Sequence, residues 1–420
     1  MSSLSAAAAR DLPIAKLRAS FPTSWPMDRF GALFTESAER NGPSPKGIAL
    51  SVSEYHGVIP RDDSDGQRAS SDVSVYRVLH PGELAVNYMW LNRGGLGVSD
   101  LLGYISPAYK VYRIDPSVHS RFAHYLLRSR PYVSAFAALG TGVRPNSQMV
   151  DTVELNSLPV PSIPFATQRA IADYLDRETA EIDAMMADLD EMEKLLTERR
   201  GSIIRAHLLP EGQRYTRIKL IATVSLGKTV QSRQKKSDEV QRNYVRAAHI
   251  QPHGRLVLDE QPMWFTQKEL ELLSLRAGDV LVVEGGAGYG RSVVLKQDMP
   301  DWGFQNHVIR VRPNTGVLGE FVHYTFLAHH NAGLIGLLAD GATIPALSSD
   351  KARELPILSV DTDGQHRIVD TVARETAEID AMLADITELR DLLAERRAAL
   401  IAAAVTGQID IPATEEPTHA

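Results

Sequence analysis

Residues 168–200 read QRAIADYLDRETAEIDAMMADLDEMEKLLTERR, and residues 365–397 read QHRIVDTVARETAEIDAMLADITELRDLLAERR. At a constant offset of 197 positions, 20 of these 33 residues are identical, including an unbroken RETAEIDAM. Agreement of that density means duplication. The same offset aligns Leu158-Pro159-Val160-Pro161 with Leu355-Pro356-Ile357-Leu358, so each copy opens on a Pro-containing lead-in. A period near 200 is far too long for a solenoid unit. It implies two domains of one kind, each followed by one helix of one kind.

Both copies are helical by pattern. Neither holds Gly or Pro, and Ala, Leu, Glu, Arg and Met dominate. A heptad reading of the first copy puts Leu175, Ile182, Leu189, Leu196 and Ile203 at a-type positions, with Ile171, Met185 and Met192 at d-type positions. In the second copy these become Val372, Ile379, Ile386, Leu393 and Leu400, with Ile368, Met382 and Leu389. A seam sustained over four heptads predicts a coiled coil; the alternative is two amphipathic helices lying on separate domains. Two d-type positions are charged in both copies, Glu178 and Arg199, then Glu375 and Arg396. An antiparallel pair with Glu178 opposite Arg396 and Arg199 opposite Glu375 satisfies both contacts in one register, so these four residues are the expected register-setters. Some 40 residues at a rise of about 1.5 Å make a rod of roughly 60 Å, the length of about 18 base pairs of duplex. Two similar modules at the ends of a spacer suit a two-part target.

The chain has 420 residues, 45 Lys+Arg and 52 Asp+Glu, a formal net charge of −7, and no cysteine. Its length predicts two or three domains, and the absent cysteine excludes disulfide scaffolds, thiol catalysis and Cys-based zinc sites. The first residues, MSSLSAAAARDLP, lack the apolar core of a signal peptide, and no stretch approaches the ~20 apolar residues of a membrane span, so a cytoplasmic location is expected. Charge is unevenly spread. Residues 1–157 carry 16 basic and 14 acidic groups, 158–209 carry 6 and 10, 210–356 carry 18 and 15, and 357–420 carry 5 and 13. The non-helical parts could therefore face a polyanion that the acidic helices would repel.

The non-helical parts predict mixed α/β (α+β) domains. Strand-like runs lie at 74–79, 83–87 and 110–114 in the first and at 280–283, 292–295 and 307–311 in the second. Helices are expected at 118–129 and 318–328. The two parts resemble one another weakly: Pro81-Gly82-Glu83 matches Ala277-Gly278-Asp279, and ISPAYKVYR (105–113) parallels FQNHVIRVR (304–312). The resulting division is 1–157, 158–209, 210–354 and 355–411, with residues 1–20 and the tail 412–420 expected to lack fixed structure.

Catalytic motifs fail on inspection. GGAGYGRS (285–292) is one substitution from a phosphate-binding loop, but Arg replaces the Lys, and the following SVVLK is strand-like, so no helix N-terminus is supplied. His249, His253, His329 and His330 show no H-E-x-x-H spacing, and no G-x-S-x-G elbow or amino-methylation motif occurs. The expectation is a chain that does no covalent chemistry alone, with no catalytic residue and no metal site.

LNSLPVPSIPFATQRAIADYLD (155–176), RELPILSVDTDGQHRIVDTV (353–372) and AVTGQIDI (404–411), together with 75–114 and 278–313, resemble the specificity subunit of type I restriction-modification enzymes. The resemblance implies two target recognition domains, each reading one half of a bipartite double-stranded DNA sequence. It implies helices that dock two adenine-N6 methyltransferase subunits, with restriction-translocase subunits joining the complex. It implies no cofactor on this chain, S-adenosylmethionine on the methyltransferase partner, and ATP with Mg on the restriction partner. A specificity subunit of a type IIB-like system and a coiled-coil scaffold that binds no DNA are the alternatives. Base readout uses Arg or Lys to guanine and Asn or Gln to adenine. The candidates are Asn92, Arg93, Ser106, Tyr109 and Lys110 in the first domain. In the second they are Lys228, Gln231, Arg246, His249, Arg291, Gln305 and Asn306.

Overall fold

A computed structural model describes residues 3–61, 72–141, 149–286, 288–338 and 346–411. The chain divides into two compact units: Met1–Ala187 with Arg390–Ala420, and Asp188–Leu389. Each long helix, Phe165–Leu208 and Thr362–Val405, therefore gives part of its length to each unit.

The first unit holds a four-stranded antiparallel sheet in the order Phe34–Ser37, Lys110–Ile114, Leu84–Val86, Leu96–Val98. A second sheet runs Gly57–Pro60, Ile48–Ser53, Gly103–Ile105, Arg77–Leu79, and its two central strands are parallel. The second unit repeats the first sheet strand for strand: Ala222–Leu226, Val308–Pro313, Val280–Val283, Ser292–Val294. Its smaller sheet, Pro262–Phe265, Val240–Val245, Trp302–Phe304, again contains one parallel pair.

Side-chain alternation explains why these runs are apolar throughout. Along a strand, successive residues face opposite sides. Val280 and Val282 enter a core built with Phe321, Phe326 and Ile204, while Leu281 and Val283 enter another with Phe265, Phe304 and Met263. The first unit does the same, with Leu84 and Val86 on Phe122 and Phe136 but Ala85 on Leu50 and Val52. Both faces of the strand are buried, so no polar position survives.

The weak likeness between the two halves has a structural counterpart. Asp279 accepts from the Arg276 N–H and from Arg312, and Glu83 accepts from the His80 N–H and lies 3.5 Å from Arg113. The Pro-containing lead-ins are short strands, Pro159–Pro161 on Met27–Arg29 and Pro356–Leu358 on Tyr215–Arg217. The glutamine opening each copy is a lock. Gln168 accepts from the His119 N–H and donates to the Ser117 and Ile163 carbonyls. Gln365 accepts from the Leu318 N–H and donates to the Gly316 and Val360 carbonyls.

The long helices pack antiparallel within each unit, but the seam differs from the heptad reading in one of its two rows. Leu175, Ile182, Val372, Ile379, Ile386 and Leu393 are buried, as a seam requires. The second row lies one residue later, at Thr179, Arg200, Thr376 and Leu383, whereas Met185, Met192, Met382 and Leu389 are exposed. Consequently Glu178–Arg396 and Arg199–Glu375 do not set the register. Arg200 Nε donates to Asp380 at 2.5 Å, and Arg397 Nε donates to Asp183 at 3.2 Å; both pairs of numbers sum to 580. Glu375 instead meets His207 at 3.0 Å. The sequence offered apolar residues in both rows, as at Met185 and Met186. The row chosen brings Thr179 to the buried Tyr125 hydroxyl at 3.1 Å and leaves Arg199 and Arg396 in water. Arg200 is only 9% exposed. Arg200→Ala should lower stability by about 1.5–3 kcal/mol, the range for a charge-assisted hydrogen bond. In thermal melts, Arg200→Asp with Asp380→Arg should recover part of that loss; no recovery would remove the pair from the register.

The chain ends depart from expectation at the start. Ser3–Ala19 is a helix whose last turn brings Leu17 into the core, followed by the buried Phe21, so this stretch is fixed by apolar burial. At the other end Gly407 (φ +69°) closes the second long helix, and a Cβ there would come within 2.7 Å of the Trp25 ring. Ile409 and Ile411 then pack on the same core. The tail 412–420 lies outside the described residues.

Candidate nucleic-acid interface

In the first unit, Leu84–Val86 ends where Lys110–Ile114 begins, with Val86 opposite Lys110. The loop 87–95 and the turn 106–109 therefore share one end of the sheet. They carry Asn92 and Arg93, and Ser106, Tyr109 and Lys110. Arg93 is exposed, its guanidinium 5.4 Å from the Trp90 ring centre and 4.0 Å from Glu54. Asn92 is half-buried. The other three are committed to the fold. Ser106 Oγ accepts from the Ala108 N–H, and Tyr109 packs on the smaller core, where burial pushes its hydroxyl pKa up. Lys110 Nζ sits 3.1 Å from Glu36, donates to Thr152 Oγ1 at 3.0 Å and lies over the Tyr88 ring.

The equivalent end of the second unit brings together Arg291, Gln305 and Asn306. Val283 lies opposite Val308, its N–H donates to the Arg291 carbonyl, and the Asn306 N–H donates to the Lys228 carbonyl. Arg291 is exposed, and Gln305 and Asn306 are half-buried. Lys228 is claimed by the fold, since its Nζ donates to Glu269 at 2.6 Å and to the Trp264 carbonyl at 2.9 Å. Arg246 and His249 converge on Asp259, and the pair holds that carboxyl below the usual carboxylate range. His249, 2% exposed, has no surface to offer a base. Gln231 donates to Glu239 at 2.8 Å and to the Arg233 carbonyl.

The bond to Glu239 reveals a basic loop. Glu239, itself buried, accepts from the Gln231 amide and from the backbone N–H of Lys235 and Lys236, which draw its pKa down to about 2. The loop 232–237 is thereby shaped from beneath while Arg233, Lys235 and Lys236 stay exposed. Because the folded pKa lies below the ordinary 4.5, this anchoring is complete above that pH and lost as pH falls through about 2. These three side chains are close in sequence, RQKK at 233–236, and the turn keeps all of them at the surface. If these side chains meet phosphates, Lys235→Ala with Lys236→Ala should flatten the salt dependence of duplex binding by about 0.9 logarithmic units for each phosphate no longer neutralised. An unchanged slope in a titration of binding against salt would place the loop away from DNA.

Among solved structures, a chain from a study of complex assembly and conformational transition of the type I R-M system has a TM-score of 0.60 to this one. The match covers 93% of this chain and 99% of that chain at 17% identity. The two chains share a fold. The HsdS subunit from Thermoanaerobacter tengcongensis also aligns, over 93% of this chain and 98% of its own, with 15% identity and a TM-score of 0.38. In sequence, the Type I restriction enzyme StySPI specificity subunit of Salmonella potsdam is 24% identical over 238 residues. That alignment takes in 53% of this chain and 50% of the relative, so the chain spans about half the length of the curated relative it matches. No protein-family model matches. This shared fold accompanies the resemblance read from the repeats. Among the described residues no helix is long and apolar enough to cross a membrane, and no group of His, Asp and Glu is placed to hold a metal ion.

Proposed function

We propose that this chain is the DNA sequence-recognition subunit of a type I restriction-modification enzyme, each unit reading one half of a bipartite duplex target. One observation carries the reading: two units of the same strand order each present the same sheet end, with Asn92 and Arg93 on one and Arg291, Gln305 and Asn306 on the other. These are the residue types that pair with guanine and adenine edges in the major groove. The nearby loop of Arg233, Lys235 and Lys236 suits the phosphate backbone, which positions a protein without specifying sequence.

The helices suit the assembly side of this role. Across RETAEIDAM, Arg177, Ala180, Glu181, Ala184 and Met185 are exposed and are the same in the second copy, at Arg374, Ala377, Glu378, Ala381 and Met382. The buried seam is less strictly kept, with Leu175 against Val372, Met186 against Leu383 and Leu189 against Ile386. An outer surface repeated more faithfully than the packing beneath it supports the same protein docking twice, here two methyltransferase subunits, with restriction subunits completing the complex. S-adenosylmethionine would reside on the methyltransferase partner, ATP and Mg on the restriction partner, and the chain itself would be non-catalytic.

The test is a map of N6-methyladenine in the host genome with and without this gene. Deletion should erase one bipartite motif and no other. If every methylated motif persists, the proposed function fails.

A further inference from the structure

The loop 87–95, NYMWLNRGG, does something its counterpart in the second unit does not. Its tip is apolar and open to solvent, with Met89 46% and Trp90 40% exposed. A mobile loop would fold such side chains inward, but this one is held at every step. Leu91, fully buried, anchors the middle. Asn87 Oδ1 accepts from the Met89 N–H, and the Arg93 and Gly95 N–H groups both donate to the Trp90 carbonyl. Gly95 lies so close that a Cβ there would come within 2.8 Å of the Trp90 Cβ. From behind, the Arg128 guanidinium donates to the Gly94 carbonyl on this loop, to the Leu96 carbonyl just past it, and to the Glu54 and Tyr55 carbonyls next to it. The Arg93 guanidinium then lies over the indole, adding positive charge to the tip.

Duplication supplies the comparison. The corresponding connection in the second unit, 284–291, reads EGGAGYGR. Its one aromatic, Tyr289, turns toward His330, with ring centres 6.0 Å apart, and packs on the second unit's core. The shared fold therefore does not need an apolar tip at this place, and among the described residues only the first unit's loop has one.

A rigid aromatic and thioether tip, flanked by a cation and set on the sheet end beside Asn92, matches what base stacking requires: a flat apolar face held without entropic cost and a charge for the adjacent phosphate. Resting on the DNA-recognition reading above, we propose that Met89 and Trp90 form a stacking wedge. In the DNA complex it enters one base step of the half-site read by the first unit and unstacks it. The second half-site, met by a Gly-rich loop, is read without such an opening. Apolar wedges of this kind partly unstack and kink the duplex where they enter.

The experiment uses the full chain purified with its methyltransferase partner and a duplex bearing the motif mapped by methylation. 2-Aminopurine replaces one base at a time through both half-sites, leaving out the methylated adenines and their immediate neighbours, whose extrusion by the methyltransferase would itself raise emission. The wedge predicts a rise in 2-aminopurine emission at one step in only one half-site. Trp90→Ala should abolish the rise and weaken binding about five- to a hundredfold, the range for losing one stacked base. Trp90→Phe, which keeps a ring, should retain part of both, and Met89→Ala should give an intermediate loss. Salt-dependent binding with no emission rise at any position, or a rise that survives Trp90→Ala, overturns the wedge and leaves DNA recognition standing. A Trp90→Ala chain that loses its protein partner but keeps the emission signal also overturns it. Failure of the wild-type complex to bind the mapped duplex overturns the recognition reading itself.

Discussion

Asp279→Ala should destabilise the second unit by about 3 kcal/mol, toward the lower end of the loss expected when one member of a buried ion pair is removed. Asp279 is 1% exposed and receives two hydrogen bonds from Arg312, each 2.7 Å, and one from the Arg276 N–H. Arg312 and Arg310 both donate to the Ser274 carbonyl, so the two guanidiniums lie side by side. Burial already pushes the Arg310 pKa down to about 10, and Arg312 adds to that pressure. Without Asp279 the two cations would share a half-buried site with one carbonyl between them. At roughly 2–4 °C per kcal/mol for a unit of this size, the melting temperature should fall by about 6–12 °C. The duplicate provides the control. Glu83 and Arg113 stand 3.5 Å apart, and Arg113 is largely solvent-exposed, so this pair should contribute at most about 1 kcal/mol. Equal losses for Asp279→Ala and Glu83→Ala would refute this account of the charge cluster.

Placing lysine at Met192, Leu195, Met382 and Leu389 together should leave the chain folded and abolish its assembly with the proposed methyltransferase partner. All four side chains are exposed, so the fold loses little when they become polar. Met192 and Leu195 align with Leu389 and Leu392 at the offset of 197, so the apolar positions recur in both helices. Apolar side chains that anchor an interface typically contribute about 2 kcal/mol each when they are hot spots, so affinity should fall by orders of magnitude. Co-purification measures the assembly, and a thermal melt measures the fold. A quadruple variant that still carries its partner would put the docking face elsewhere on the chain.

The fold was legible where one physical demand acts alone. The 33-residue repeat stated that the molecule is doubled, and VLVV at 280–283 read as a strand, which the structure buries on both faces. The helix seam was half legible because two demands compete there. Leu175, Ile182 and their counterparts are the only apolar choices in their row, whereas Met185 and Met186 are adjacent and equally apolar. Tertiary contact chooses between them, through the Tyr125 hydroxyl on Thr179 and the reach of Arg200 to Asp380. The candidate interface was legible as a region more than as residues. Lys228 and His249 have the right chemistry for reading bases, but their partners, Glu269 and Asp259, lie 41 and 10 residues away and claim them for the fold. The Met89–Trp90 tip carried no sequence signal, because an apolar pair between Tyr88 and Leu91 reads as core until the loop is seen to bury only those two neighbours of the pair.

The second unit is one unbroken stretch, Asp188–Leu389, whereas the first is assembled from both ends of the chain. Its boundaries fall inside the two copies of a repeated helix. A genetic crossover between the RETAEIDAM segments would excise 197 residues in frame and fuse the front of one helix to the back of the other. The product keeps a single unit on a hybrid helix, and the reverse exchange between related genes would swap one unit whole. If the proposed function holds, duplicated helices would make the specificity of such a protein a cassette, replaceable without redesigning the parts that hold it.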